Sequence, residues 1–255
     1  MVPPPVVVAH RGSRYLWPEN TMVAFEGAVA TGVTHIETDL RATADGVVVC
    51  LHDPTVDRTT DGSGHVAALT FEELGRLDAG FRHRGDGGFP YRGVGAVVPA
   101  LSELVTSFPD VQLVLEIKSS SVIPGLIGLF ASHDLYERAV VGSFRERWLD
   151  EVRRASGGRI RTSTGTGGTR DWIIAARTGR DPRVPVAALH VPLRFRGVPV
   201  VDERLVAKAH RHGVPVHVWT VNRLEEMRML TTLGVDGLIT DRPDLARSLH
   251  TEPVA

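Results

Sequence analysis

Short apolar segments rich in β-branched residues recur along the chain, and amphipathic segments separate them. The apolar segments lie at residues 6–9, 35–40, 112–118, 139–144, 159–163, 185–191, 214–221 and 235–240. The segments between them carry apolar residues at i, i+3 and i+4, and several end at a glycine, as helices do. Alternating strands and helices are typical of parallel βαβ units. Eight such strands in 255 residues predict an α/β fold, a (β/α)8 TIM barrel.

One interval departs from this alternation. Residues 51–110 separate the second predicted strand from the third, although one loop and one helix would normally be enough. The sequence there is polar and rich in glycine, as in DPTVDRTTDGSGHV and GFRHRGDGGFPYRGVG. Such sequences are typical of ordered loops with short helices rather than of a second core. We therefore predict one barrel domain over residues 1–255, with a small insertion at 54–100.

Composition and charge argue against several classes of protein. Lys and Arg total 29 against 30 Asp and Glu, for a formal net charge of -1. Without a basic excess, the chain is not expected to bind a nucleic acid. No apolar stretch reaches the roughly 18 residues of a transmembrane helix, and the first residues lack signal-peptide features, so we expect a soluble, cytoplasmic protein. The single cysteine, Cys50, excludes an intramolecular disulfide. These features do not predict the oligomeric state.

Carboxylates cluster near the ends of two predicted strands. Glu37 and Asp39 are two positions apart, so they project from the same face of their strand. Glu116 lies near the C-terminal end of the next strand, the end at which barrels place catalytic groups. Three converging carboxylates repel one another unless a cation neutralises them, and oxygen ligands favour Mg²⁺, Ca²⁺ or Mn²⁺. The alternative is that these acids are solvated or pair with arginines.

Two histidines and two cations supply the remaining chemistry of a candidate phosphodiester site. His10 ends the first predicted strand, and His52 ends the apolar run VVVCL. Cleavage of a phosphodiester needs one group to deprotonate the attacking oxygen and another to protonate the leaving alkoxide, and imidazole suits both tasks. Arg11 and Lys118 offer positive charge for a phosphate. The chain has 27 arginines and two lysines, which indicates that a compact ammonium is needed at position 118.

Seven motifs, in order along nearly the whole chain, resemble those of the glycerophosphodiester phosphodiesterase family. They are HRG at 10–12, PENT at 18–21, the ExD of HIETDL at 35–40, HDPTVDRTTDGSG from 52, EIK at 116–118, VWTVN at 218–222 and DGLITDRPD at 236–244. The resemblance implies a TIM barrel that holds Ca²⁺ or Mg²⁺ and uses two histidines as general acid and base. It implies metal ligands Glu37, Asp39 and Glu116, catalytic His10 and His52, and substrate-binding Arg11, Asn20, Lys118, Phe144 and Trp219.

The reaction implied by the resemblance is hydrolysis of a small-molecule glycerophosphodiester to sn-glycerol 3-phosphate and an alcohol. Water could attack directly, or the neighbouring glycerol hydroxyl could attack first and give a cyclic phosphate. One departure from the family is the bulky segment SRYLW at 13–17, where small residues are common. An apolar rim built by Tyr15, Leu16 and Trp17 would favour a lysophospholipase D acting on longer-chain substrates. A non-catalytic barrel that only binds a phosphate ester is a third hypothesis.

Overall fold

The structure, a computed structural model, describes residues 4–249. Its strands are β1 (Val6–His10), β2 (His35–Ala42), β3 (Val48–Cys50), β4 (Gln112–Ile117), β5 (Ala139–Gly142), β6 (Leu189–Pro192), β7 (Arg194–Phe195), β8 (Val198–Pro199), β9 (Val216–Trp219) and β10 (Gly237–Thr240). Its helices are α1 (Met22–Ala30), α2 (Phe71–Leu74), α3 (Leu101–Ser107), α4 (Ile123–Ser132), α5 (Glu146–Ala155), α6 (Thr166–Thr178), α7 (Glu203–Arg211), α8 (Leu224–Leu233) and α9 (Pro243–Ser248). In this part of the chain, no helix is both long and apolar enough to cross a bilayer.

Seven parallel strands form the wall of a barrel. Their spatial order is β5, β4, β2, β1, β10, β9 and β6, and every neighbouring pair runs parallel. These are seven of the eight predicted strands. Helices pack around the outside, and the predicted (β/α)8 barrel is confirmed.

The remaining predicted strand, residues 159–163, is not a regular strand, yet it closes the barrel between β5 and β6. The amide of Val141 donates to the carbonyl of Arg161 at 2.9 Å, and that of Ser163 donates to the carbonyl of Val141 at 2.9 Å. On the other side the amide of Ala187 donates to the carbonyl of Thr162 at 2.9 Å. Because so few hydrogen bonds flank it, the segment remains a single bridge rather than a ladder.

Alternation along β2 and β4 separates the outer core from the interior of the barrel. Ile36 and Leu40 face outward and join the apolar layer under the helices, together with Leu115. Glu37 and Asp39 alternate with them and face the interior. A small apolar cluster of Val8, Val114 and Ile239 also lies within the barrel. The carboxylates therefore lie at the C-terminal ends of the strands, which is the face that barrels use for catalysis.

The stretch between β3 and α3 contains one 3-10 turn, Val66–Ala68, and the short helix α2. Thr70 and Glu73 form a capping box at the start of α2, which satisfies backbone donors that would otherwise lack partners. A satellite apolar cluster supports this stretch, formed by Val49, Leu51, Val56, Val66, Leu74, Ala79 and Val98. β3 pairs antiparallel with β2 and was absent from the predicted strands, because three residues are too few for a clear period.

Candidate active site

Three carboxylates meet at the C-terminal ends of β2 and β4. Asp39 lies beside Glu116 in the register of these strands, and one oxygen of each acid, Glu37 included, lies within 4.8 Å of the others. Two cations contact this cluster. Nε of Arg11 lies 3.0 Å from Oδ2 of Asp39, and Nζ of Lys118 lies 3.0 Å from Oδ1 of Asp39 and 2.7 Å from Oε1 of Glu116. The predicted convergence is present, and so is the pairing with basic residues considered as its alternative.

His10, the last residue of β1, faces the carboxylate cluster and is held by an acid from the opposite end of the chain. Its Nδ1 lies 2.6 Å from Oδ1 of Asp241, and its Nε2 lies 3.9 Å from Oε2 of Glu37. Neighbouring cations and donors hold the pKa of Asp241 below its usual value, against the effect of burial. An ionised carboxylate only accepts hydrogen bonds, so Nδ1 of His10 is the donor. Nε2 is then the nitrogen left for proton transfer.

His52 follows β3 and has a carboxylate partner of its own. Its Nδ1 lies 2.6 Å from Oδ1 of Asp53, and Nε of Arg58 donates to Oδ2 of Asp53 at 2.5 Å. The two terminal nitrogens of Arg58 donate to the carboxylate of Glu19 at 2.8 and 2.7 Å. Glu19 also accepts a hydrogen bond from Arg11 at 2.9 Å. Arg58 therefore connects Asp53, the partner of His52, to Glu19, the partner of Arg11.

The loop after β1 adopts a constrained backbone that positions Arg11. Arg11, Gly12 and Ser13 all have positive φ angles, of 53°, 73° and 74°, which only glycine adopts without cost. A Cβ on Gly12 would lie 2.7 Å from Cβ of Ala24, so no side chain fits there. The amide of Arg11 donates to Oε2 of Glu37 at 3.1 Å. The close approach of Gly12 to Ala24 in α1 explains the glycine of the HRG motif.

Asn20 supports the cluster from behind. Its Nδ2 donates to Oδ2 of Asp39 at 3.1 Å, and its Oδ1 accepts from Thr38 at 2.8 Å. Asn20 itself has a φ of 55°, a left-handed conformation that asparagine tolerates better than most residues. Its side chain therefore fixes the orientation of one carboxylate of the cluster.

Burial and neighbouring charges shift the pKa values of the site in opposite directions. Burial and the charge of Asp39 raise the pKa of Glu37 to about 8. Burial also acts to raise the pKa of Asp39, but Lys118 and Arg11 lower it by more. Burial acts to lower the pKa of His10, but the hydrogen bond to Asp241 and the charge of Glu37 raise it by more.

The pKa of His52 is shifted in the opposite direction from that of His10. Burial lowers its pKa, and this effect outweighs the charge of Asp39 and the hydrogen bond to Asp53, which both raise it. The pKa values of His10 and His52 are therefore shifted in opposite directions, and His10 is the more readily protonated of the two. A pair of groups whose pKa values are driven apart is what acid and base catalysis by two residues requires.

The donor set fits a hard divalent cation. Oxygens within 4.8 Å of one another can share an ion whose bonds to oxygen are about 2.0–2.6 Å. Burial and the charge of Asp39 raise the pKa of Glu37, and a dication in the cluster would counter both effects. Nζ of Lys118 lies 3.0 Å from Oδ1 of Asp39, but this buried oxygen accepts no hydrogen bond from residues 4–249. Residues 37, 39 and 116 could thus hold a metal.

A cavity of about 870 Å³ opens above the carboxylates. Eight of the ten predicted site residues line it, namely His10, Arg11, Glu37, His52, Glu116, Lys118, Phe144 and Trp219. The other two, Asn20 and Asp39, are buried behind this surface. Phe144 and Trp219 form an edge-to-face pair with ring centres 5.5 Å apart, and Nζ of Lys118 lies 5.5 Å from the centre of the Phe144 ring. The predicted aromatic wall is therefore adjacent to Lys118, one of the two predicted phosphate-binding residues.

The predicted apolar rim at 15–17 does not border this cavity. The lining includes Arg14 but none of Tyr15, Leu16 and Trp17. The Trp17 ring packs on α1, where a Cβ on Gly27 would lie 2.4 Å from it. Packing against a helix thus explains Trp17, and the apolar part of the cavity wall comes from other elements.

Sequence reasoning missed Asp241 and Asp53, the carboxylates that hold the two histidines, and Glu19, which pairs with Arg11 and Arg58. Asp241 directly follows the last residue of β10, so its position at a strand end was an available signal. No spacing rule links residue 241 to residue 10, because the contact depends on β1 and β10 being neighbours in the barrel.

Comparisons with known proteins agree with this geometry. A model of the glycerophosphoryl diester phosphodiesterase family matches residues 10–245. The chain is 36% identical over 247 residues to a glycerophosphodiester phosphodiesterase of Caldanaerobacter subterraneus, with 94% of this chain and 95% of that protein covered. It is 33% identical over 250 residues to a probable glycerophosphodiester phosphodiesterase 2 of Mycobacterium tuberculosis, with 96% and 90% covered.

A solved structure resembles the fold as well. It is that of an Oleispira antarctica phosphodiesterase in complex with the product sn-glycerol-3-phosphate, with a TM-score of 0.78, 25% identity and 97% of each chain covered. The family match spans both histidines, the three carboxylates and most of the barrel. The chain therefore belongs to the glycerophosphoryl diester phosphodiesterase family of phosphoric diester hydrolases.

Proposed function

We propose that this protein hydrolyses glycerophosphodiesters to sn-glycerol 3-phosphate and an alcohol, with a divalent ion held by Glu37, Asp39 and Glu116. One observation carries the proposal: two imidazoles, each held through Nδ1 by a carboxylate, line the same cavity as two of the clustered acids. The family match supports it, as does the product complex of the Oleispira antarctica relative. The ion is Mg²⁺ or Ca²⁺, and Mn²⁺ is compatible with the same oxygen ligands.

His52 and His10 divide the proton transfers between them. The lowered pKa of His52 leaves its Nε2 free to accept the proton of the attacking hydroxyl. The raised pKa of His10 favours an imidazolium that donates a proton to the leaving alkoxide. If the glycerol hydroxyl attacks first and water then opens a cyclic phosphate, the two histidines exchange these roles in the second step.

Arg11 and Lys118 bind the phosphate and neutralise charge that develops on its oxygens. Both lie at the boundary between the carboxylates and the cavity, where a bound phosphate would contact them. A divalent ion bound to the carboxylates supplies Lewis-acid polarisation of the phosphoryl oxygens. Phe144 and Trp219 provide an apolar wall for the alcohol, and Asn20 orders the cluster through its hydrogen bond to Asp39.

The test is an assay with glycerophosphocholine and either Mg²⁺ or Ca²⁺. Release of sn-glycerol 3-phosphate is expected, and EDTA should abolish it, whereas activity that survives chelation would overturn the role of the metal. His10→Ala and His52→Ala should each lower kcat by roughly 10²-fold or more, while His65→Ala, at an exposed position outside the cavity, should not. Phosphorus NMR during turnover would reveal a cyclic phosphate if the glycerol hydroxyl attacks first.

A second candidate is a lysophospholipase D acting on longer-chain substrates. The cavity favours it through apolar side chains distant from the carboxylates, among them Ile173, Phe195 and Val198. Lysophosphatidylcholine tested beside glycerophosphocholine separates the two candidates. A larger kcat/KM for the lysophospholipid would make this the principal activity.

A further inference from the structure

The cavity is larger than a glycerophosphodiester of a small alcohol requires. Its volume of about 870 Å³ lies in the upper part of the range of about 300–1,000 Å³ that drug-sized ligands occupy. The carboxylates and both histidines occupy one part of its lining. The remaining wall comes from α6 and from the hairpin formed by β7 and β8, which contribute Ile173, Phe195 and Val198. This second region has no role in the proposed chemistry at phosphorus.

Three arginines line this second region, and we call Arg170, Arg177 and Arg196 the arginine rim. Arg170 and Arg177 are seven positions apart on α6, and Ile173 lies between them, so all three share one face of the helix. Two helical turns separate the Cα atoms of Arg170 and Arg177 by about 10 Å along the helix axis. That face borders the cavity, so both arginines project along its wall.

Arg196 comes from the tip of the facing hairpin. Arg194 pairs with Pro199 and Phe195 with Val198, which leaves Arg196 and Gly197 as a two-residue turn. Their φ angles of 50° and 82° are those of the hairpin turns that require two left-handed residues. The guanidinium of Arg196 lies 5.6 Å from the centre of the Phe195 ring.

The arginine rim has no carboxylate partner within residues 4–249. Other arginines on and near α6 do form ion pairs: Arg180 contacts Asp171, and Arg153 contacts Glu146. The acids that line the cavity are Glu37 and Glu116, and both belong to the carboxylate cluster at the strand ends. The part of the cavity away from the cluster therefore carries three uncompensated positive charges beside apolar side chains.

We infer that the arginine rim binds a second anionic group, carried by the alcohol of the substrate. The preferred substrate is then a glycerophosphodiester whose alcohol bears another phosphate. The reacting diester would lie at the histidines and Lys118, the carbon skeleton of the alcohol against Ile173, and the second phosphate at the guanidinium groups, which suit phosphate oxygens geometrically. This inference rests on the proposed function and specifies its substrate class.

Charge separates this substrate class from two others. A choline or ethanolamine head group would bring a positive charge towards three guanidinium groups, which is unfavourable. An acyl chain in the same region would displace water from the guanidinium groups without replacing their hydrogen bonds. A phosphate forms charge-assisted hydrogen bonds with them instead.

The test compares kcat/KM for bis(glycerophospho)glycerol with that for glycerophosphocholine. The wild-type protein should prefer the former by about tenfold or more, as expected for charge-assisted contacts in a partly exposed site. The double variant Arg170→Gln/Arg177→Gln should lose most of this preference. The matched variant Arg154→Gln, at an exposed arginine of α5 outside the cavity lining, should retain it. Because exposed charges are screened by salt, the preference should also decline at high ionic strength.

Three results would overturn the inference. The first is an equal kcat/KM for the two substrates, and the second is a preference that survives in the double variant. The third is a double variant that binds phosphatidylglycerol vesicles less well in co-sedimentation but hydrolyses both substrates as the wild type does. If neither diester is hydrolysed, the proposed function fails. Calorimetric measurement of ligand binding then still tests whether the arginine rim binds an anionic group. Binding of bis(glycerophospho)glycerol should then weaken by about tenfold in the double variant and remain unchanged in Arg154→Gln.

Discussion

Oδ1 of Asp241 lies 2.6 Å from Nδ1 of His10, although the two residues are 231 positions apart in the sequence. Further contacts hold the carboxylate of Asp241 in place. Nδ2 of Asn222 donates to Oδ2 at 2.8 Å, and Nε of Arg14 lies 3.2 Å from the same oxygen. Asp241 is therefore a rigid acceptor that determines which nitrogen of His10 faces the carboxylate cluster.

Asp241→Asn should lower kcat by about 10²-fold or more while it changes KM little. An amide in place of the carboxylate no longer stabilises the imidazolium and allows the wrong tautomer. Steady-state kinetics measure the effect. The pH profile of kcat should also lose the limb that reflects the protonation of His10. Asp236→Asn is the matched control, because Asp236 also pairs with a histidine, His210 at 2.9 Å, but precedes β10 rather than following it. An equal loss in both variants would indicate a general folding defect.

Arg58 is expected to act on His52 and Arg11 through their carboxylate partners. It donates to both oxygens of Glu19 and to Asp53, and a lysine cannot make all three contacts. Arg58→Lys should therefore lower kcat by about tenfold, because Asp53 and Glu19 lose their fixed positions. The variant Arg76→Lys keeps an exposed i,i+4 pair with Glu72 and should leave kcat unchanged. Full activity of Arg58→Lys would exclude this positioning role.

The sequence predicted the parts of the site that depend on local geometry. Glu37 and Asp39 share a face because strands alternate, and Glu116 joins them because β2 and β4 are consecutive barrel strands. The partners of the histidines depend on contacts across the barrel or on the conformation of a loop. Asp241 reaches His10 only because β1 and β10 are adjacent, and Glu19 reaches Arg58 only through the fold of the stretch after β3. Period and spacing carry no information on such contacts.

The arginine rim shows the same limit for substrate preference. The bulky residues at 15–17 drew attention in the sequence, because they depart from the family at a rim position. In the structure the Trp17 ring packs on α1, and the apolar wall comes from α6 and the hairpin formed by β7 and β8. Arg196 at that hairpin carries no recognisable motif. A site residue without a motif becomes visible only once the cavity is known.

Metal binding should stabilise the folded protein independently of turnover. An ion at 100 times its Kd adds about 2.7 kcal/mol to the free energy of unfolding, which corresponds to a rise in Tm of roughly 5–10 °C for a chain of this size. Thermal unfolding with and without Ca²⁺ or Mg²⁺ measures this shift. Glu37→Gln should remove it, whereas Glu103→Gln, on the outer helix α3, should keep it. A Tm that is indifferent to every divalent ion would contradict the proposed ligand role of the three carboxylates.

The paired histidines within the barrel should make the protein sensitive to acid. His190 and His217 stack with ring centres 5.3 Å apart. Nε2 of His190 and Nδ1 of His217 are buried and have no hydrogen-bond partner among residues 4–249. Burial, followed by the charge of the other imidazole, lowers the pKa of His190 to about 3. Burial, followed by the charge of His35, lowers the pKa of His217 to about 4.

The sign of the effect follows from proton uptake. Between the folded pKa values and the usual 6.5, the unfolded chain binds protons that the folded protein excludes, so stability rises with pH in this window. Above pH 6.5 both imidazoles are neutral in the folded and in the unfolded protein, and the free energy of unfolding keeps its full value. As the pH falls from 6.5 towards 4, that free energy decreases by up to about 1.4 kcal/mol per pH unit for each histidine. Urea unfolding at pH 7 and pH 5 measures the loss.

His217→Gln should reduce the loss of stability between pH 7 and pH 5, whereas the exposed His65→Gln should not. Groups that do not interact with His217 contribute equally to the variant and to the wild type, so their effects cancel in the difference. His190 loses the charge of its neighbour in the variant, which raises its pKa and reduces the loss further. The comparison holds even if the glutamine lowers stability at both pH values, because the prediction concerns the slope alone. An unchanged slope in His217→Gln would mean that this imidazole is not held neutral by its burial.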